Sequence, residues 1–452
     1  MNEIKYLSVC GMLGYGFPAE GLRRALEEDL AFIGADSGST DPGPYYLGSG
    51  KGFVKEMQIR RDLELALLAA RRKNIPLIIG SAGGSGAKPH VDSFVEVLLD
   101  IAAINKLHFK LAVIYADLTR KTLAKALKEK RITPCGPVPE LTAEKIERVC
   151  NPVGQFGTEP LIQALAGGAD VIISGRCCDT AVFAAYPIWK GFDPALALHC
   201  AKIAECGALC AYPVGANDSL LCILRQDHFI VEPVNLERKC TPQSVAGHSL
   251  YEQPNPECFY EPEGMIDMRQ SNFEQISLRA VKVSGTVLRT SAKQTLKLEG
   301  AELKGCRTVT FAGICDPMVI AHLDDLQNGV RKAVSANLKG VVAENEYQLI
   351  FRRYGLDAAT FVKPVDPVLP HEIGLMIEAI APTQKLADNI LSLARSTALH
   401  QAFEGRKATA GNLAFPFSPS DLSGGAVYEF SLYHLMEIDD PAKMFPVKFI
   451  VV

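Results

Sequence analysis

The stretch Gly34-Ala-Asp-Ser-Gly-Ser-Thr-Asp-Pro-Gly-Pro-Tyr-Tyr-Leu-Gly48 gathers two carboxylates, three hydroxyls and two tyrosines within thirteen residues of a strand-like run. Such a loop can grip a substrate through Ser37, Ser39, Thr40, Asp41, Tyr45 and Tyr46, with Asp36 placed as acid, base or metal ligand. Gly80-Ser-Ala-Gly-Gly-Ser-Gly86, followed by Lys88, reads as an anion cradle: Ser81, Gly83, Gly84, Ser85 and Gly86 offer amides and hydroxyls, and the lysine a charge. Phosphate, carboxylate or the tail of a CoA ester would fit it. In Gly175-Arg-Cys-Cys-Asp-Thr180, Arg176 can pair with a substrate carboxylate or with Asp36, Asp179 can orient it or act as base, and Thr180 adds a hydroxyl.

Three further segments carry an ordinary reading beside the chemical one. Glu205, in Glu205-Cys206-Gly207, sits at the end of an apolar helical run, where a carboxylate is costly unless paired. It is a second candidate catalytic acid or one arm of a salt bridge. In Asn151-Pro-Val-Gly-Gln-Phe-Gly-Thr-Glu159, Thr158 suits a helix N-cap and Glu159 the helix dipole; capping leaves Gln155 unexplained, and it joins the substrate-binding candidates. Gly11-Met-Leu-Gly-Tyr-Gly16 lies between a strand and a helix, where the amides at Gly11, Gly14 and Gly16 could hold a cofactor's anionic group or simply make a tight turn. Its spacing is not Gly-x-Gly-x-x-Gly and no Walker lysine-serine pair occurs, so NAD and ATP have no support.

A thiol nucleophile at Cys177, Cys178 or Cys206 needs a base to lower its pKa, and no histidine lies close in sequence to the Cys177-Cys178 pair, so packing thiols are the better reading there. The nine histidines lack the paired spacing of zinc sites, and Cys206 and Cys210 have no partner cluster. The metal content is left unknown: a divalent cation on Asp36, Asp41 or Asp179 stays open, and CoA enters only as part of a substrate.

These loops need a scaffold that brings them together. Short apolar runs alternate with amphipathic helical stretches through the first 200 residues: strands at Ile4–Cys10, Ala31–Ala35, Pro76–Gly80, Leu111–Ala116 and Val171–Ser174, helices at Ala19–Leu30 and around Arg60–Lys73, and a helix over His199–Cys210. That alternation predicts an α/β fold, a Rossmann-like, mostly parallel sheet with helices on both faces. In such a sheet, ligands bind outside the carboxyl ends of the strands.

Beyond a Pro/Glu-rich stretch at 252–263, strand-like runs at Ala280–Leu288, Thr295–Glu299 and Cys306–Ala312 and a helix at Met318–Leu338 suggest an α+β region. A strand at Glu346–Arg352, the connection Pro364–Pro370, a strand at Glu372–Ile380, a helix at Lys385–Phe403 and a strand at Ala426–Met436 follow. The expected division is a catalytic domain over 1–245, an α+β region over 246–363 and a small ferredoxin-like α+β module over 364–452.

The 452 residues, 48% hydrophobic and 22% charged, have the composition of a globular chain able to bury a large core. A net charge of −4 without a dense basic run excludes a nucleic-acid backbone as partner. No apolar run approaches the roughly 18 residues of a membrane span, and thirteen scattered cysteines fit reduced packing thiols, so a cytoplasmic protein is expected.

Taken in order, the early glycine turn, Pro152-Val-Gly-Gln-Phe-Gly-Thr-Glu159, Gly168-Ala-Asp-Val-Ile-Ile-Ser-Gly-Arg176 and Glu205-Cys-Gly207 resemble the acyclic terpene utilisation (AtuA-like) family. The likeness spans most of residues 4–360, and the tail resembles the ferredoxin-fold module that follows in such proteins. The resemblance implies catabolism of a branched or acidic carbon skeleton, as a free acid or a CoA ester, and by analogy a homo-oligomer.

The expected function is a hydratase or dehydratase, or an isomerase, acting on a small carboxylic acid or its acyl-CoA thioester. Asp36 or Asp179 would exchange the proton beside the carbonyl, with Glu205 as a further acid and Arg176 and the Gly83–Gly86 amides holding charge on the enolate. The alternatives are a thiol-dependent hydrolase or C–C lyase, and a non-catalytic ligand-binding or scaffold subunit whose C-terminal module recruits a partner.

Overall fold

The computed structural model of the protein describes residues 2–215, 217–291, 293–360, 362, 369–407 and 409–452. It confirms the α/β class and divides the chain into two compact units, 1–302 with 430–452, and 303–429.

The first unit is built on a ten-stranded sheet. Five neighbouring strands, Glu3–Ser8, Phe32–Asp36, Leu77–Gly80, Val171–Ser174 and Lys110–Ile114, run parallel. They read as near-continuous apolar runs because both faces of a parallel sheet are covered. Along Leu111–Ile114, for example, Leu111 and Val113 enter one core with the helices Glu56–Lys73 and Lys88–Ile104. Ala112 and Ile114 enter the other, with the helices Asp179–Trp189 and Pro194–Ala204.

Antiparallel strands extend the sheet at both ends: Leu220–Arg225, His228–Pro233, Val281–Ser284 and Asn272–Gln275 beside Glu3–Ser8, and Val447–Val451 beside Lys110–Ile114. The parallel strands form its centre. The chain steps from Leu77–Gly80 past a vacant position to Lys110–Ile114, and Val171–Ser174 later fills the gap, a reversal of winding direction that opens space at the strand ends.

The second unit has the order strand, helix, strand, strand, helix, strand: the part of Gln294–Ile314 beyond residue 302, Leu323–Leu338, Gln348–Tyr354, Ile373–Ala381, Gln384–His400 and the first part of Asp421–Ile438. The sheet order is Gln348–Tyr354, Ile373–Ala381, Gln294–Ile314, Asp421–Ile438, a ferredoxin-like βαββαβ unit. Its helices bury Leu326, Val330, Val334, Ile390, Leu391 and Ala394 against Leu375, Ile377 and Ala379 of the sheet.

The ferredoxin-like module therefore exists, but it occupies 303–429 rather than 364–452. Its first strand is the continuation of Gln294–Ile314, one strand that runs through Gly300 and Gly305 where the residue pattern suggests two. Its tail, Val447–Val451, belongs to the large sheet. The borders expected at 245/246 and 363/364 thus differ from the contact borders at 302/303 and 429/430. The expected connection Pro364–Pro370 falls largely outside the described residues.

Ala280–Leu288 proves to be two strands, Val281–Ser284 and Val287–Thr290, separated at Gly285 with φ +84°. The helix expected over His199–Cys210 ends at Ala204, and Gly207, at φ +59°, reverses the chain. Among the described residues no helix is long and apolar enough to cross a membrane.

Candidate active site

The loops leaving Phe32–Asp36, Leu77–Gly80 and Val171–Ser174 meet at one rim through their backbones. A Cβ on Gly38 would collide with Gly84, one on Gly175 would lie 2.6 Å from the Gly86 carbonyl, and one on Gly86 would run into the Arg176 amide, which itself donates to the Gly86 carbonyl at 3.0 Å. Gly86 also holds φ +64°. Gly86→Ala combines a left-handed backbone with overpacking and should cost about 2 kcal/mol or more in chemical denaturation. Unchanged stability would mean that the loops are not locked in this way.

Arg176 is buried at the centre of this rim. Its Nε donates to Glu299 Oε2 at 2.8 Å, and Nη1 reaches Ser81 Oγ at 3.3 Å, the Cys177 carbonyl at 3.2 Å and Asp179 Oδ1 at 3.2 Å. Glu299 has no solvent exposure; its Oε1 accepts from Thr40 Oγ1 at 3.0 Å and pairs with Lys297 Nζ at 3.0 Å. Burial alone would raise its pKa, but Arg176 and Lys297 override it and hold Glu299 down at about 2. Burial likewise opposes the charge on Arg176, and Glu299 and Asp179 more than compensate.

Asp36, 5% exposed, lies at the end of its strand. Oδ2 accepts from the Gly38 amide at 3.0 Å, whereas Oδ1 has no hydrogen-bond partner among the described residues. Burial and the neighbouring Asp179 push its pKa well above the carboxylate range, only partly offset by Arg176. The hydroxyls of Ser37 and Ser85 are also buried without a partner among the described residues.

Asp179 opens the helix Asp179–Trp189 and keeps 32% of its side chain in solvent, which marks the accessible side of the cluster. Desolvation raises it against the pull of Arg176, Lys202 and Lys297. Glu205 pairs with Lys202 at 2.6 Å; burial still lifts it to about 8. Glu261 accepts from Cys178 Sγ at 2.6 Å and Thr180 Oγ1 at 2.8 Å, and burial raises it to about 7. One first-unit site thus sets Glu299, held down by two cations, beside Glu205 and Glu261, which burial raises: neighbouring acids whose surroundings push their pKa values apart.

The structure therefore assembles Asp36, Ser37, Thr40, Ser81, Gly84, Ser85, Gly86, Arg176, Asp179, Thr180 and Glu205 around one rim. Gln155 lies beside it, opposite Lys297 in the strand pair formed by Val149–Gln155 and Gln294–Ile314.

Other expected residues are engaged elsewhere. Asp41 accepts from Ser39 Oγ at 2.7 Å on the exposed part of the loop. Tyr45 packs on Tyr46, and Tyr46 on Phe53. Lys88 is held by Asp92 at 2.5 Å and lies over the Tyr115 ring, so its charge does not serve the glycine loop. Gly83 borders a separate hollow with His90 and Phe94.

The anion cradle expected at Gly11, Gly14 and Gly16 is filled by the chain itself. The amides of Gly14 and Gly16 donate to Asp62 Oδ2 at 2.9 and 2.8 Å, and Gly11 packs on the Cys206 carbonyl. A cavity of about 440 Å³ borders this turn, lined by Gly14, Tyr15, Gly16, Phe17, Arg61 and Asn217 among others, but Asp36, Asp179, Glu205, Glu261 and Glu299 do not line it. For proton chemistry the carboxylate cluster outweighs this hollow.

Thr158 does not cap its helix, because its backbone is already helical (φ −75°, ψ −24°). Its amide and hydroxyl both donate to Glu263 Oε1 at 2.7 Å.

Lys202, Glu261, Lys297 and Glu299 were not anticipated. Lys202 was legible, since it is the cation one helical turn before the buried Glu205. Lys297 and Glu299 share one face of a strand by period-two spacing, a signal too common to single out. Among the described residues no group of three or more His, Cys, Asp or Glu is arranged to hold a metal ion.

Comparison with family models matches acyclic terpene utilisation family protein AtuA over residues 48–218 and 226–415, a stretch that contains most of the carboxylate cluster but begins after Asp36. Searches of curated proteins and of solved structures returned no match. The family is named for a catabolic role, and its match covers most of the chain: the protein belongs to the acyclic terpene utilisation family.

Proposed function

We propose that the protein is a catabolic lyase of the hydratase or dehydratase type, or an isomerase, that moves a proton beside the carbonyl of a small carboxylic acid or its acyl-CoA thioester. The observation that carries this reading is Asp36: a buried carboxyl with one oxygen unpartnered among the described residues, adjoining Arg176 and Asp179. Asp36 exchanges the proton, Asp179 supplies the route to solvent, and Arg176 with the neighbouring loop amides stabilises charge as it forms on the carbonyl oxygen. Incubation with candidate acids and thioesters in deuterated water, followed by mass spectrometry, tests it. Incorporation beside the carbonyl supports the reading, and absence of exchange, addition and elimination across the panel overturns it.

The thiols argue against nucleophilic catalysis. Burial pushes Cys177 up to about 12, which keeps it in the thiol form at pH 7. Burial raises Cys178 and Cys206 as well, each with a carboxylate neighbour adding to the shift. Activity should therefore survive iodoacetamide treatment of the folded enzyme. Stoichiometric alkylation of Cys177, Cys178 or Cys206 with loss of turnover would favour the thiol route.

The raised Glu261 also predicts a pH dependence of stability. An acid whose folded pKa, about 7, lies above its unfolded value near 4.3 binds more protons folded than unfolded between the two. Its contribution is complete below about pH 4.3 and is lost as pH rises to 7. Urea denaturation from pH 5 to 7.5 should show wild-type stability falling more steeply than that of Glu261→Gln; parallel curves would remove Glu261 as the cause.

A further inference from the structure

The cations around Asp36 already have carboxyl partners within the protein. Arg176 lies between Glu299 and Asp179, Lys297 is on Glu299, and Lys202 is on Glu205. Three cations thus face Glu299, Asp179 and Glu205 before Asp36 and Glu261 are considered. Lys88, the cation that sequence reading offered to an incoming anion, is paired with Asp92.

What the rim leaves for a ligand is neutral hydrogen bonding: Asp36 Oδ1 and the hydroxyls of Ser37 and Ser85, all buried and all without a partner among the described residues. A carboxylate placed here would have to give up its hydration beside cations that the protein's own carboxyls already hold, and a buried charge without a partner is costly. An uncharged carbonyl meets no such opposition. It acquires charge only as its α-proton leaves, when the Arg176 guanidinium and the loop amides act on it, so their stabilisation falls on the transition state rather than on the bound substrate.

Resting on the acid–base reading above, we propose that the group presented to Asp36 is an uncharged ester- or thioester-type carbonyl and not a free carboxylate. Of the two substrate forms compatible with that reading, this selects the thioester. In the step itself the Cα–H bond breaks, its proton goes to a carboxylate of the cluster, and the electron pair delocalises onto the carbonyl oxygen. Return of the proton to carbon restores the enzyme, so no oxidant or further reactant is consumed.

The test uses the full chain and paired probes: straight-chain and methyl-branched 3-hydroxy and 3-enoic acids of four to ten carbons, whose α-carbon carries an acidic C–H, each as its sodium salt and as its uncharged N-acetylcysteamine thioester, at pH 7.5. Binding is read by thermal shift and titration calorimetry, and exchange by deuterium incorporation. The thioesters should bind at least tenfold more tightly than the matching acids, and Asp179→Asn, which removes one competing negative charge, should narrow that gap.

Equal or tighter binding of the free acids, or no binding by any thioester, overturns the proposal. Thioester-selective binding without proton exchange or turnover would instead sink the acid–base reading and leave the charge preference standing.

Discussion

Asp36→Asn is expected to lower turnover by about 10²–10⁴-fold, the range for loss of a positioned general acid or base, while the protein stays folded. The amide has the size of the carboxyl, and one of its atoms can still accept the Gly38 N–H bond now made by Oδ2. It cannot release a proton and take it back. Because burial already holds Asp36 toward its neutral form, the exchange removes little or no buried charge, and the melting temperature should change by only a few degrees. Steady-state kinetics beside a thermal melt would separate the two effects. Wild-type turnover in a folded Asp36→Asn protein would take Asp36 out of the chemistry.

The second large effect concerns stability. Arg176→Met should destabilise the first unit by about 3–5 kcal/mol, the cost of breaking a buried pair from one side. Glu299 would be left with Lys297 and Thr40 at a site with no solvent exposure, and the Ser81 hydroxyl and Cys177 carbonyl would each lose a donor. The double variant Arg176→Met/Glu299→Gln should recover much of the loss, since the stranded charge goes with its partner. Denaturant titration of the two single variants and the double closes a thermodynamic cycle. Additive losses would show that the pair is not coupled, contrary to the 2.8 Å contact.

Local signals in the chain were sufficient for the scaffold and for half of the site. The strands ending at Asp36, Gly80 and Ser174 announce themselves by apolar runs breaking into Gly, Ser and Asp, and their loops do converge. The pairing of Arg176 was less accessible. Its expected partners were Asp36 or a substrate, whereas Glu299, 123 residues away, takes its Nε. Thr40 reaches the same carboxylate across 259 residues. Such meetings are set by how the sheet is wound and leave no trace in spacing.

The turn at Gly14 and Gly16 shows the converse. Its glycine pattern suggested an external anion, and the anion turned out to be Asp62, a residue at a buried position of an otherwise amphipathic helix. A fully buried aspartate there was the available clue, since an unpaired charge would be untenable.

Because residues 303–429 leave the first unit and return to it, that unit is assembled from two separate lengths of polypeptide. Val447–Val451 joins Lys110–Ile114, more than 300 positions upstream. On the ribosome, the nascent chain exposes the entire βαββαβ insert before the last strand of the large sheet has been synthesised. The rim of the Lys110–Ile114 edge must wait open during that interval, and contacts so distant in sequence slow folding. Overproduction would therefore benefit from cooler growth or chaperone supply during elongation.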